Sequence, residues 1–562
     1  MGTSFASSSD YYQIRTECLV MGNKSNKQPG KVPIFSTPAA QVLTRLLQEA
    51  TRATPASGPE TYVPPSGGQI AEADYHHFIF GQRGSGKSSL LRHLQHQMRT
   101  TNRIAVWIDQ EIYSRLSYPD VLVSALHEIM YGLADTVESK IQADKALSRR
   151  SRFPSKSKTL NQDASLLDEL RAAATELEKL KFAPLNRKIE WKIVGESTRQ
   201  QGLTGGVRMQ LVSLQADTNS TEHSVTTTSE TVDGTKEEYL ERALLGYRSL
   251  ILRTSDQVGG GFIFVDDLYQ ISRKDQPEVL GYLHRLTKDT SVWLKIGSIR
   301  YSTITFKPNP PTGMQRGHDA QEVALDRGLR YPSVTQDFLE KILSQIAKKA
   351  GIEINDLLTS EARKRLVLAA GGVARDYLRI TAAAIDEARN RGITPKSGSH
   401  RVIVDDVNKA AGRLSPAKFD DLRADEPDEA AALAVLVRQL TEFCRERGRA
   451  YFLIATDSAD LSDQVNKLQH LRFAHLLVES ETVPDRGSQR FNVWLLDVAE
   501  LSAQRAAEHM DFLGWEDREK RRNRKLIFTG NETTTETRKP RLSSKKTTTP
   551  DPEDPETAGM LF

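Results

Sequence analysis

Along the first 330 residues, short apolar runs alternate with longer amphipathic stretches. His77-Phe78-Ile79-Phe80, Ile104–Asp109, Gly261–Val265 and Val292–Gly297 are apolar on both sides of an extended chain and end in polar or small residues. Runs of that kind predict buried strands of a parallel sheet. Helical patterns separate them, one following residue 88, one from Tyr118 to about Ala134 and one over Lys236–Arg253. Strand and helix in alternation predict an α/β core. Upstream, residues 1–32 are polar and read as a loose arm. Thr37-Pro38 places a capping hydroxyl before a proline and opens a helix through about Ala50. Residues 51–70, rich in Pro and Gly, read as a linker, so an arm, helix and linker occupy 1–70 and the core spans 71–332.

The pattern changes at 135–235, which reads as an insertion. Leu166, Leu170, Ala173, Leu177 and Leu180 recur at 4-3-4-3 spacing, predicting a helical hairpin or short coiled coil. Ile189, Trp191 and Ile193, then Val207, Met209 and Leu211, alternate as two strands of a hairpin. Thr218–Thr235 is nearly all polar and reads as a flexible tip. Residues 333–415 are helical in pattern, with Leu339, Ile342 and Ile346 on one face. Residues 428–500 read helix (Ala430–Arg447), strand (Tyr451–Ala455), helix (Leu461–Arg472) and two strands, Leu476–Ser480 and Arg490–Asp497. Residues 515–562 are basic, then Thr/Lys/Pro-rich, then acidic, and read as a disordered tail.

Composition narrows the classes. A net charge of +4 over 562 residues rules out a polycation, so nucleic-acid binding must come from local patches. Cys18 and Cys444 build no disulfide framework, and no Cys/His spacing matches a zinc site, which points to a reducing, cytoplasmic setting. The first residues lack a basic and apolar leader pattern, and no apolar run reaches the ~20 residues needed to span a bilayer, so no membrane is expected.

The chemistry concentrates at residues 81–88, Gly-Gln-Arg-Gly-Ser-Gly-Lys-Ser, between a predicted strand and a predicted helix. This is the phosphate-loop pattern G-x-x-x-x-G-K-[ST] in its required context. Gly81, Gly84 and Gly86 let the chain turn tightly enough for successive N–H groups to face one anion. Gln82, Arg83, Ser85 and Ser89 complete the cradle. Lys87 is expected to reach the β- and γ-phosphates and Ser88 to ligate Mg²⁺. The apolar strand before Asp266 and Asp267 delivers two carboxylates beside this loop. Asp266 is expected to hold Mg²⁺ and Asp267 to orient the attacking water. Asp267 is one methylene shorter than Glu, which misplaces that water and predicts slow hydrolysis. Ser298, at the end of the next strand, is a candidate γ-phosphate contact with Arg300 nearby; an ordinary strand-to-loop turn is the alternative.

Taken together, the order of these parts resembles the AAA+ ATPases, in particular the origin-recognition and replication-initiator branch and the related STAND-type ATPases. The resemblance covers about 70–415 apart from the insertion. It implies ATP and Mg²⁺ as ligands, a P-loop parallel-sheet core with a helical lid, and homo-oligomers. Ala370–Leu378 resembles the segment in which a lid arginine reaches the γ-phosphate, and Arg375 matches that position. The helix after Val404 resembles the last lid helix, with Asp405 as its cap. No arginine finger stands out among Arg300, Arg327 and Arg330. Residues 428–500 resemble a winged-helix α+β domain, which implies either DNA or protein contact. Its candidate reading helix carries Asn466, Lys467, Gln469, His470 and Arg472; its wing carries Arg486 and Arg490. Arg518–Lys525 is a basic cluster, either a solvated helix end or a phosphate-backbone or targeting patch. The expected function is an ATP-driven initiator-like switch engaging DNA, nucleoid-associated in that case. The alternative is a STAND-type signalling or antiphage-defence scaffold that recruits a separate protein effector through 135–235.

Overall fold

The computed structural model describes residues 33–52, 62–65, 67–150, 157–183, 189–196, 208–212, 227–392, 399–502 and 510–530. The apolar runs form β1 (His77–Phe80), β2 (Ile104–Asp109), β6 (Gly261–Asp266) and β7 (Val292–Ser298), joined by β10 (Gln321–Ala324). All pair in parallel, in the order β10-β1-β7-β6-β2. The chain leaves interior strand β1 for the edge strand β2 and returns through β6 and β7. The strand order therefore reverses at β1, and the crevice at such a reversal is where open α/β sheets bind ligands. The tetrapeptide Gln-Glu-Val-Ala of β10 carries no apolar run, which is why only the fold reveals it as a strand.

Helices α2 (Lys87–Thr100), α3 (Asp120–Arg150), α5 (Lys236–Val258) and α6 (Gln276–Thr287) cover this sheet; α1 (Pro38–Ala50) precedes it. The insertion adds α4 (Ser157–Phe182), antiparallel to the second half of α3. Leu166, Leu170 and Leu177 are fully buried in the same hydrophobic cluster as β2 and β6, so the hairpin is an extension of the parallel-sheet core. Beyond it, β3 (Ile189–Glu196) pairs antiparallel with both β4 (Arg208–Val212) and β5 (Thr227–Gly234). Part of the stretch read as a flexible tip is thus a strand, because its backbone completes the β3 ladder; residues 213–226 lie outside the described ones. A small hairpin, β8 (Phe306–Pro308) and β9 (Pro311–Gly313), precedes β10.

The region expected as the lid comprises α7 (Pro332–Lys349), α8 (Ile354–Leu357), α9 (Ser360–Ala369), α10 (Ala374–Arg391) and α11 (Val404–Gly412). Helix α1 and the turn before it pack into it, burying Leu43 and Leu47 of α1 and Phe35 of the turn. Asp406, not Asp405, serves the α11 start: its carboxylate accepts from the Ile403 N–H at 3.0 Å and pairs with Arg391. Asp405 instead faces outward to Lys409.

After α12 (Ser415–Asp425) come α13 (Ala430–Arg447), β11 (Tyr451–Ala455), α14 (Ala459–His470), β12 (Ala474–Thr482), β13 (Arg490–Leu496) and α15 (Val498–Ser502). The sheet is antiparallel, ordered β11-β13-β12. Only α14 lies between β11 and β12, so the pair of helices joined by a short turn that defines a helix-turn-helix is not formed there. One continuous hydrophobic cluster joins this domain to the lid, whereas the parallel sheet has clusters of its own. The first part of the expected disordered tail is ordered instead. Residues 515–530, with α16 (Arg518–Arg521), are folded because Trp515, Leu526 and Phe528 are buried in that same cluster. Residues 531–562 lie outside the described ones. No described helix is long and apolar enough to cross a membrane.

Candidate nucleotide site

At the end of β1 the backbone turns through Gly84 (φ 87°) and Gly86 (φ 100°), left-handed positions that suit glycine, and α2 opens at Lys87. The turn aims the first N–H groups of α2, with their positive dipole end, into a cavity of about 560 Å³ between core and lid. Residues 83–89, Asp267 and Arg375 all line it. Gly81 and Gln82 support the loop from below. Their carbonyls accept from Lys87 Nζ at 2.9 and 3.1 Å, and the Gln82 N–H donates to Asp326 at 2.7 Å.

Lys87 is buried, and desolvation lowers its pKa against the attraction of Asp267, Asp266 and Asp326. Parallel β6 brings Asp266 to the loop, where it accepts a hydrogen bond from Ser88. Burial first, then the charge of Asp267, pushes the Asp266 carboxyl up to about 7. Asp267 sits in left-handed backbone (φ 52°) and donates its N–H to Asp266 Oδ1 at 3.1 Å. Burial raises its pKa too, opposed by Lys87 and Arg375 and reinforced by Asp109 and Glu111. Two neighbouring desolvated carboxylates beside an ammonium form a pocket that a divalent cation would relieve.

Arg375 stands in the first turn of α10. Its backbone N–H donates to the Gly84 carbonyl at 3.2 Å, so the lid rests directly on the phosphate loop. Its side chain is exposed on the cavity wall. Ser298 is placed differently. It is fully buried, its hydroxyl lies 2.6 Å from that of Thr303, and it is not on the wall; its carbonyl accepts from the Gly81 N–H. Arg300 pairs with Glu322, Arg330 pairs with Glu479, and Arg327 lies over the Phe338 ring.

Residues 47–118 match the ORC-CDC6-like family. The matched segment runs from the end of α1 through the phosphate loop to the turn after β2. It supports kinship with ORC-CDC6-related AAA+ proteins, and the lid, insertion and C-terminal domain lie outside it. No curated protein matches the chain.

The other wall was not legible as a site. Tyr62, Val63 and Pro65, from the stretch read as a linker, line the same cavity as Phe338, Ile342 and Leu378, its apolar part. Tyr62 stacks on His93 with centroids 4.3 Å apart. An aromatic and a valine within a Pro/Gly/Thr-rich segment were the available signal. Tyr269, just after Asp267, lies under Arg83 and Lys87 at 5.7 and 5.9 Å and was also missed.

The residues fit a nucleoside triphosphate with its cation. Ser85 Oγ, within the loop, is buried without a hydrogen-bond partner, and the N–H groups of the same loop suit an anion. Gly84–Ser88 would hold the phosphates, Ser88 and Asp266 would hold Mg²⁺, and the apolar part of the cavity suits a base. The cation would neutralise phosphate charge. Lys87 would supply charge at the phosphates, Asp267 would accept a proton from water, and Arg375 would bring charge from α10 to the phosphate end.

Three of the candidate DNA-facing side chains are engaged within the fold, whereas Arg490 is exposed. Arg472 pairs with Asp376 and Asp421, Lys467 pairs with Glu429, and His470 lies 3.9 Å from the Tyr301 ring on the core. Arg521 and Arg522 fold onto β12 through Glu481 and Thr482, while Arg524, Lys525 and Arg486 are exposed.

Proposed function

We propose that this chain is an ATP-binding, slowly hydrolysing AAA+ switch of initiator type, whose nucleotide state sets lid closure and the assembly of copies. The observation that carries this reading is convergence. Lys87, Ser88 and Asp267 from the core and Arg375 from the lid meet on one cavity. A cation on a lid makes closure depend on the terminal phosphate. Isothermal titration with ATP and Mg²⁺ tests it: the wild type binds, and Lys87→Ala loses most of that affinity. Equal binding by both proteins would refute the assignment.

Two outputs follow from that switch. DNA engagement rests on exposed Arg486, Arg524 and Lys525, since Lys467 and Arg472 are paired with carboxylates of the fold. Binding to duplex DNA that weakens steeply with salt, and weakens again when those three are neutralised, supports it. The second reading, a STAND-type signalling or defence scaffold, is favoured by a different observation. The insertion adds an antiparallel β4-β3-β5 sheet beyond the α3–α4 hairpin, a unit with its own ladder and no part in the nucleotide cavity. Deleting 189–234 with nucleotide binding intact and partner capture lost supports that reading.

A further inference from the structure

Arg472 sits just past α14 in left-handed backbone (φ 64°) and is 8% exposed. A side chain in that conformation persists where the surroundings over-determine it, and such sites cluster at function. Here Lys418 Nζ donates to the Arg472 carbonyl at 3.1 Å. The guanidinium makes two separate attachments. Nη1 donates to both carboxylate oxygens of Asp376, at 2.9 and 3.2 Å, and Nη2 donates to Asp421 at 2.8 Å.

Asp376 immediately follows Arg375 and is 4% exposed, in the first turn of α10. A buried acid there is favoured by the helix dipole, and a planar fork holds it in one orientation. On its other side the same turn touches the phosphate loop, through the Arg375 N–H and the Gly84 carbonyl. Gly371, at the turn before α10, packs on the His475 ring so closely that a Cβ would collide with it. One α12 turn past Asp421, Asp425 pairs with Arg83 of the phosphate loop at 3.1 Å. The start of α10 is therefore held between the loop and the C-terminal domain.

We propose that Arg472 is a positioning residue for the nucleotide site. By fixing Asp376 it sets where Arg375 stands over the phosphate loop, which makes the C-terminal domain a working part of the lid. This rests on Arg375 as the arginine that faces the γ-phosphate. By reciprocity, triphosphate binding changes the strain on the Asp376–Arg472–Asp421 junction and so reports to the C-terminal domain.

The test compares affinities for ATPγS and ADP, each with Mg²⁺, in the full-length protein. The wild type prefers ATPγS. Arg375→Gln and Arg472→Gln each lower the ATPγS/ADP preference by about fivefold or more, the lower end of usual site-to-site coupling. The double variant loses no more than either single one, because both act on one interaction. Arg472→Lys, which keeps the charge facing Asp376, retains part of the preference. A merely structural role weakens both ligands equally, so an unchanged ratio in Arg472→Gln overturns the proposal. If that variant does not fold, Asp376→Asn probes the same pair and is judged on the same ratio. Should Lys87→Ala bind as wild type does, the nucleotide reading itself fails. Positioning is then decided without nucleotide by amide exchange over residues 374–378, where faster exchange in Arg472→Gln supports it and unchanged exchange overturns it.

Discussion

The N–H of Arg375 donates to the carbonyl of Gly84 at 3.2 Å, so the first turn of the lid helix α10 stands directly on the phosphate loop. Gly84 is also where a side chain has no room, since a Cβ there would lie 2.6 Å from the Arg375 Cβ. Lid placement and loop geometry are thus one structural problem with two sides.

Gly84→Ala adds that clash to a left-handed backbone costing an L-residue roughly 1–2 kcal/mol. Thermal unfolding should show a destabilisation of at least that size. ATP affinity should fall more than tenfold as α10 is displaced. A variant with wild-type melting and wild-type affinity would show that the contact is not needed.

Asp267→Asn should separate binding from hydrolysis. Its carboxylate is placed to take a proton, whereas Lys87 would face the phosphates and Ser88 the Mg²⁺. Titration should give near-wild-type ATP affinity, and phosphate release should fall by about 10²–10⁴, the usual worth of a general base. The wild type itself should turn over well below about 10 per second, a typical enzyme rate.

Asp497 links the C-terminal domain to α12 by accepting from Lys418 at 2.8 Å and lying 3.0 Å from His475 Nε2. Burial alone would raise its pKa, but Lys418 and His475 outweigh that and hold it down to about 2. A depressed carboxylate stabilises the fold above its unfolded pKa of about 3.9 and loses that contribution as pH falls through about 2. Asp497→Asn, which breaks a buried pair, should cost about 3–5 kcal/mol at pH 7. Denaturant midpoints of the two proteins should converge as pH drops from 4 to 2.

Glu481 is 6% exposed and gathers Arg521 at 2.7 Å, with Arg518 and Arg522 farther off. Glu481→Gln should release residues 515–530 from β12 while leaving the nucleotide site untouched. Limited trypsin digestion should then cut the 518–525 cluster several-fold faster, with ATP affinity unchanged.

Local chemistry made much of the molecule legible. The phosphate loop announces itself because glycines, a lysine and a hydroxyl must stand at fixed spacing to wrap an anion. Asp266 and Asp267 are found because a buried strand reads as an apolar run with its polar end at the sheet edge. The leucines at 166–180 give the helical hairpin for the same reason. These are properties of one segment and its solvent, so the residue order suffices.

Contacts between distant segments were decided only by the tertiary structure. Ser298 has the right residue type at a strand end, yet Thr303 takes its hydroxyl. Tyr62 and Phe338 line one cavity although nearly half the chain separates them. Arg472 looked like a surface cation on a reading helix, and pairing with Asp376 across 96 positions buries it instead. A charged side chain reads the same in sequence whether it faces water or a partner. Which of the two it faces depends on which remote carboxylate the fold brings within hydrogen-bond reach, and periodicity carries no record of that.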